Sequence, residues 1–422
     1  SFYAFAIWIG IGVIAIFDLL KEKINKNFAA ATATTICLFA APILMASENW
    51  DDHDRTGRTI ALDVGKNYLE SCDKNAIVFS NGDNDTYPLW FVQEVEGIRT
   101  DIMNVNMSLA NSEYYISQVK KKKNDAAPIP YILKDNWYKN TSGISIDVRQ
   151  NKKSNPVLIN KAIEELLITK KTCPKYIKLL LPFQEDSPED SSFIKLNIKK
   201  ARLTPADIML LDILANFNWE RPLYFVQGEA TFSGLFAREF KKGANDGLIN
   251  YLQREGVLTQ LVPFKTTSKK INIDKSYDLL MNKYNYGNIA NPNVYYCYYT
   301  ERSLKLFRRA FQATIEELVR LKDIEKADAL AKKYFTDLMF STGYEDQFSI
   351  PILKSYSRVN PIAAEKIIDA SERFDVLGAA CYQVQFLWGM RLGDFEELQG
   401  EEDCKGVEEG LSRLKAGIEN YK

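Results

Sequence analysis

The sequence has little of what several functional classes require. It holds one histidine, His53, and six cysteines without a CxxC or similar ligand spacing, so no zinc site can be recognised. Its formal net charge of -1 leaves no basic excess, and we expect no nucleic-acid partner. With 46% apolar and 26% charged residues, the 422-residue chain has a globular composition and can form two or three domains.

Apolar residues are concentrated at the N-terminus. Two runs without a charge cover residues 1–17 and 28–46. A helix rises about 1.5 Å per residue, so the second run would be roughly 28 Å long, close to a hydrocarbon thickness of about 30 Å. We therefore expect two transmembrane helices within residues 1–46, with a buried helix of a soluble protein as the alternative for either run. Because the first run begins abruptly and without Met, a larger membrane domain of the same protein is expected upstream.

The connector between the two runs indicates an orientation. It carries Lys21, Lys23 and Lys26, and short lysine-rich loops favour the cytoplasmic side. The residues after Ser47 would then lie on the opposite side, which in a two-membrane bacterium is the periplasm. This predicts an inner-membrane protein in contact with membrane lipid, with its larger domain in the periplasm.

Residues 47–275 have the pattern of an α/β domain. An apolar run at 76–80 predicts a buried strand, 81–83 a turn, 86–96 a helix and 101–108 a second strand. Strand, helix and strand form a βαβ unit and predict a mostly parallel sheet. Further on, Thr204 and Pro205 are typical of a helix start, and the apolar run at 221–226 predicts a strand that extends the same sheet.

The C-terminal part, residues 276–422, is expected to be helical. Apolar residues recur at helical spacing from about Tyr298, and the break at Lys322–Asp323 predicts an antiparallel helical hairpin. The length of this hairpin is near that of a tetratricopeptide unit, although the signature residues of that repeat are not evident. We interpret the region as a helical-repeat-like domain, with a plain helical bundle as the alternative.

Two acidic clusters could carry chemistry. The first is Asp51-Asp52-His53-Asp54, whose hard oxygen ligands could hold a divalent cation. Adjacent side chains point in different directions, so a solvated turn with a helix cap is the simpler interpretation. The second is Asp83-Asn84-Asp85, expected in a loop at the carboxyl edge of the sheet, where α/β proteins place ligands. Trp90, in the helix that follows, completes this candidate ligand-binding set.

The second cluster also has two interpretations. Two carboxylates at i and i+2 after a strand would suit a metal-dependent transferase or a metal-assisted hydrolysis. Alternatively, Asp85 is the N-cap of the helix that starts at Thr86, and the cluster is a turn. A single cation site formed by both acidic clusters is the sharper hypothesis.

Several segments carry a resemblance to a known family. They are Ala46–Arg58, Asn75–Trp90, Gln93–Asp101, Asn218–Val226 and Glu255–Pro263. They resemble the C-terminal half of a bacterial family of multi-spanning membrane proteins, long described as a domain of unknown function and related to protein O-mannosyltransferases. The resemblance implies a GT-C-like glycosyltransferase with a polyprenyl-phosphate-linked sugar donor and an acceptor protein on the external face.

The resemblance also implies what this stretch of sequence does not contain. The catalytic acidic residue of such transferases belongs to an early external loop that has no counterpart here, so no catalytic residue is assigned. We expect the extracytoplasmic part of a protein O-glycosyltransferase that positions an acceptor or supports the catalytic part. The alternatives are a non-enzymatic envelope scaffold that binds a partner through its helical tail, and a metal-dependent enzyme that uses the acidic clusters.

Overall fold

The computed structural model describes residues 2–366 apart from short gaps, of which the longest are 139–145, 152–156, 183–192, 237–246 and 339–348. The chain divides into two compact units. One contains residues 1–58 with 293–295, and the other contains residues 59–292 with 296–422.

The first unit contains three helices: α1 (Phe2–Lys21), α2 (Lys26–Leu38) and α3 (Leu44–His53). A five-residue π-helical segment, Phe39–Ile43, separates α2 from α3 and contains Pro42. Proline has no backbone N–H and its ring crowds the preceding turn, which accounts for the interruption of the second apolar run at this point.

The two predicted transmembrane helices are therefore wrong. Among the described residues, no helix combines the length and the apolar character that crossing a membrane requires. The α2 helix has 13 residues, which make roughly 20 Å. The uncharged part of α1 ends before Asp18 and rises roughly 24 Å, short of the hydrocarbon thickness of about 30 Å. The orientation inferred from the lysines presupposed two spans and is withdrawn with them.

The second unit contains the sheets and the remaining helices. Its described helices are α4 (Ile60–Ser71), α5 (Asp83–Glu94), α6 (Glu113–Val119), α7 (Asp135–Tyr138), α8 (Ile159–Thr169), α9 (Pro205–Asn216), α10 (Gly228–Leu235), α11 (Ile273–Asp278), α12 (Tyr298–Leu321), α13 (Ile324–Asp337) and α14 (Ser349–Ser357). Its described strands are β1 (Ile77–Ser80), β2 (Met103–Asn106), β3 (Ile146–Asp147), β4 (Arg149–Asn151), β5 (Val157–Leu158), β6 (Thr172–Pro174), β7 (Tyr176–Leu180), β8 (Phe193–Asn197), β9 (Arg202–Leu203), β10 (Leu223–Phe225), β11 (Leu252–Glu255) and β12 (Leu258–Leu261).

The central sheet has five strands in the order β11-β12-β10-β1-β2. Strand β1 pairs in parallel with β2 and with β10, in a register that aligns Ile77 with Met103 and with Leu223. The predicted βαβ unit is thus confirmed, and so is the α/β character of the region. The sheet is mixed rather than mostly parallel, because the β11–β12 hairpin joins its edge in antiparallel fashion.

The hydrophobic core covers one face of this sheet. The rings of Phe79 and Phe225 stack at 4.7 Å between centroids, and Phe232 from α10 packs edge-on to Phe225 at 4.6 Å. Helix α9 is buried along most of its length. It begins as predicted, with Thr204 as the N-cap and Pro205 at the first position. The structure adds a capping box, in which Thr204 accepts from the Asp207 backbone and Asp207 accepts from the Thr204 backbone. This core fixes the strand ends at which the candidate site lies.

A helical hairpin follows the sheet, as the sequence predicts. Helix α12 ends at Leu321, Lys322 adopts a positive φ of 63°, and the side chain of Asp323 accepts from the Lys326 backbone as the N-cap of α13. The predicted break at 322–323 is therefore confirmed. The likeness to tetratricopeptide repeats remains a prediction, and residues 367–422 lie outside the described part of the chain.

Candidate functional site

A cleft of about 570 Å³ lies at the carboxyl ends of the parallel strands β1 and β10. Ligands of open α/β sheets bind at this edge, because the loops between strands and helices diverge there. One wall is the start of α5, another the start of α10, and β11, β12 and α12 complete the enclosure.

Buried polar side chains hold the start of α5 against the strand ends. The hydroxyls of Ser80 and Thr86 lie 2.8 Å apart, and Ser80 donates to Asn104 Oδ1 at 3.0 Å. Asn106 Nδ2 donates to Thr86 Oγ1 at 2.7 Å, while its Oδ1 accepts from the backbone of Ser108 at 2.8 Å. Hydrogen bonds of this kind are strengthened by their low-dielectric surroundings, so the first turn of α5 has a fixed position relative to β1 and β2.

The second acidic cluster forms the first turn of α5 rather than a loop. Helix α5 starts at Asp83, with Gly82 as its N-cap, so the prediction that Asp85 caps a helix starting at Thr86 is wrong. Carboxylates are favoured in this turn because they complement the positive end of the helix dipole. Asn84 and Asp85 line the cleft, and Asp85 Oδ1 accepts from Tyr68 Oη at 3.2 Å. Asp83 is exposed and does not line it.

The fourth predicted residue, Trp90, lies away from the cleft. Its ring is partly buried in α5, 5.7 Å from the ring of Tyr87, and Lys123 Nζ lies 5.5 Å from its centroid. The structure thus brings Asn84 and Asp85 into the site and leaves Asp83 and Trp90 out.

The opposite wall begins where β10 ends. The chain passes through Val226 and Gln227 into α10, whose first residue is Gly228. A Cβ at Gly228 would clash with Thr259 Oγ1, so glycine is what lets the helix start this close to β12. The first N–H groups of a helix have no partner within the helix, and the Gln227 side chain makes no capping hydrogen bond to them. This helix start lines the cleft.

Three basic side chains enter the cleft from β11 and α12: Arg254, Lys305 and Arg309. Desolvation lowers the pKa of Arg254, and the charge of Arg309 lowers it further, while Glu229 opposes both effects. Within the described residues the Arg254 guanidinium donates no hydrogen bond to a protein acceptor. A charged group without an acceptor is unfavourable in partly desolvated surroundings, so the position of the Arg254 side chain costs free energy.

The first acidic cluster lies in the other unit. His53 Nδ1 contacts the Asn49 carbonyl at 2.9 Å at the end of α3, and Asp54 Oδ1 accepts from the Thr56 backbone at 2.8 Å. Hydrogen bonds from the side chain and then the backbone of Thr56 lower the pKa of Asp54. The side chains of Asp51 and Asp52 lie outside the described residues. Where side chains are described, no group of three or more His, Cys, Asp or Glu is placed to hold a metal ion. A cation site shared by both clusters stays a prediction.

Most residues of the cleft were not predicted from the sequence. Gly228 and Glu229 follow an apolar strand and open a helix, which is the same signal that pointed to residues 83–85. Lys305 and Arg309 stand at i and i+4, on one face of a helix. No local signal marks Arg254, because a charged residue in a strand next to a turn predicts a solvent-exposed position on an edge strand.

Comparison with known proteins gives one match. The sequence model of TMEM260-associated domain 2 matches residues 61–181 and 177–279. Neither a curated protein nor a solved structure matches the chain. The two matched segments run together from 61 to 279, which is 219 of the 422 residues, and they include Asn84, Asp85, Gly228 and Arg254. The chain belongs to the TMEM260-associated domain 2 family.

Proposed function

We propose that this chain is the extracytoplasmic, acceptor-positioning part of a glycosyltransferase-related protein of the GT-C kind. The acceptor would bind in the cleft. The observation that carries the proposal is the cleft itself, formed at the ligand-binding edge of the sheet by residues 84–85, 228–229 and 254, all inside the matched region. The glycosyltransferase relationship is supported by the family match and by the sequence resemblance described above, and the extracytoplasmic placement rests on that resemblance alone. The partner is an acceptor protein.

Binding rather than catalysis is favoured by the chemistry of the cleft. Its two carboxylates, Asp85 and Glu229, stand among basic side chains, and Asp85 is already engaged by Tyr68. A metal-dependent transfer would need a cluster of oxygen or nitrogen donors, and the described side chains provide none. The cleft therefore suits the recognition of a ligand better than the activation of a nucleophile.

The test of this function is made in the cell. Variants Asn84→Ala and Glu229→Gln, each in the cleft, should reduce the O-linked hexose that mass spectrometry detects on envelope proteins of the source organism. The matched control is Asp83→Asn, which changes a residue in the same helical turn that does not line the cleft. Equal glycosylation in all four strains, at equal levels of the chain, would overturn the proposal.

A second measurement separates positioning from catalysis. The purified 422-residue chain, given a polyprenyl-phosphate mannose donor and the acceptor proteins identified in the cell, should form no glycosylated product. Turnover by this chain alone would show that it is the transferase itself, and the division of labour proposed here would be abandoned.

A further inference from the structure

The described residues that line the cleft include more basic than acidic side chains. Three are basic, Arg254, Lys305 and Arg309, and two are acidic, Asp85 and Glu229. The backbone N–H groups at the start of α10 add a partial positive charge, since peptide dipoles sum towards the helix N-terminus. These contributions come from three separate elements, α10, β11 and α12, and they face one enclosed space.

Among the described residues, the Arg254 guanidinium has no hydrogen-bond acceptor. Arg254 lies on β11 and lines the cleft, and the charge of Arg309 disfavours its charged form. Guanidinium groups in such surroundings normally pair with an anion through two parallel hydrogen bonds. The charge of Glu229 favours the charged form of Arg254, yet Glu229 accepts no hydrogen bond from it among the described contacts.

We propose that the cleft binds a phosphate group, held by Arg254 and Arg309 with Lys305 beside them and capped by the backbone N–H groups of Gly228 and Glu229 at the start of α10. Arginine matches the oxygens of phosphate in a bidentate way, lysine adds a point charge, and a helix N-terminus is a ready anion site. Gly228 lets the start of α10 lie against β12, since a Cβ there would clash with Thr259 Oγ1. Asp85 and Glu229 face the remaining part of the ligand and accept hydroxyl protons from it.

Two other ligand classes fit less well. A neutral sugar is usually held by stacking on aromatic faces, and of the described residues that line the cleft none is aromatic. A divalent cation would be repelled by the three basic side chains, which outnumber the carboxylates. The charge balance and the donors both favour an anion.

This inference rests on the proposed function only in that it names the ligand chemistry of the same cleft. Calorimetric titration of the purified chain with inorganic phosphate, at constant ionic strength, should give saturable binding at one site per chain. Arg254→Gln should weaken that binding roughly ten- to a hundredfold, because a hydrogen-bonded charge pair is lost. Lys305→Gln, on the surface of α12, should weaken it as well and guards against misfolding of the strand variant. Arg320→Gln removes an exposed cation of the same helix, paired with Glu317, and should bind phosphate as the wild type does.

The source of the phosphate group is resolved by two further arms. Glycerol 3-phosphate tests a free ester, and vesicles of phosphatidic acid in phosphatidylcholine, compared with phosphatidylcholine alone, test a lipid headgroup. Binding that depends on Arg254 in either arm upholds the inference and identifies the source. Absence of saturable binding in every arm, or binding that Arg254→Gln and Lys305→Gln leave unchanged, overturns it. These outcomes are independent of the glycosylation measured in cells, so failure of one proposal is distinguishable from failure of the other.

Discussion

Replacing Lys275 with Met should destabilise the second unit strongly, because it leaves a buried carboxylate without its cation. Lys275 Nζ lies 2.5 Å from Glu255 Oε2, 2.7 Å from Asp73 Oδ1 and 2.9 Å from Tyr224 Oη. Tyr224 Oη donates to Glu255 Oε2 at 2.7 Å. The network ties α11 to β11, to β10 and to Asp73, which follows α4 and Cys72. The Glu255 side chain is only 4% exposed.

The magnitude follows from that burial. Removing one partner of a buried ion pair costs about 3–5 kcal/mol, and here the lower end applies because Tyr224 and Asn272 still donate to Glu255. With an unfolding entropy of about 2.1 cal/mol/K per residue, a unit of about 360 residues loses about 1.3 °C of Tm per kcal/mol, so we expect a fall of roughly 4 °C. Desolvation lowers the pKa of Lys275, but hydrogen bonds to Asp73 and Glu255 outweigh it and raise the pKa. The stabilisation should therefore hold up to the unfolded value of about 10.4 and disappear as pH rises through the higher folded value.

Differential scanning calorimetry of the full chain measures this effect. The control is Lys283→Met, which removes a half-exposed pair with Asp278 and should leave Tm unchanged. The double variant Lys275→Met/Glu255→Gln removes both charges and should recover more than half of the loss. A fall in Tm of less than about 2 °C for Lys275→Met would refute the reasoning, since an exposed pair would give as much.

Two further substitutions test the packing and the electrostatics of the same unit. Burial raises the pKa of Asp212 to about 6, above the unfolded value of about 3.9, so folding favours the protonated carboxyl. Compared with Asp212→Asn, the wild type should therefore lose about 2 kcal/mol of unfolding free energy between pH 4 and pH 7 in urea titrations. A constant difference between the two proteins across that range would contradict the prediction. A Cβ at Gly65 would lie 2.5 Å from the Pro88 carbonyl oxygen, so Gly65→Ala should force α4 and α5 apart. We expect this to lower the free energy of unfolding by about 1–3 kcal/mol, against a gain in helix propensity of about 1 kcal/mol. The control is Gly234→Ala, whose Cβ would meet nothing within 4 Å and which should be neutral or stabilising. Equal free energies of unfolding for the two variants would show that α4 and α5 can separate freely.

The N-terminal helices show how a sequence pattern can mislead. Charge-free runs indicated two membrane spans, but apolar composition does not reveal where a helix is interrupted. Pro42 lies inside the second run, and the structure changes there from α-helix to a π-helical segment. Helix continuity, rather than mean apolarity, decided the length of the second apolar helix.

The sequence by itself determined the elements whose signals are local. The strand at β1, the start of α9 at Thr204–Pro205 and the break between α12 and α13 depend on contacts within a few residues, and each was predicted close to its observed position. Tertiary structure alone decided the cleft, because Asp85, Gly228, Arg254 and Lys305 are far apart in the chain. They meet only once β1 pairs with β10 in parallel and α12 packs beside the sheet. Pairing over such separations is set by the collective burial of the core, whose partners no local pattern specifies.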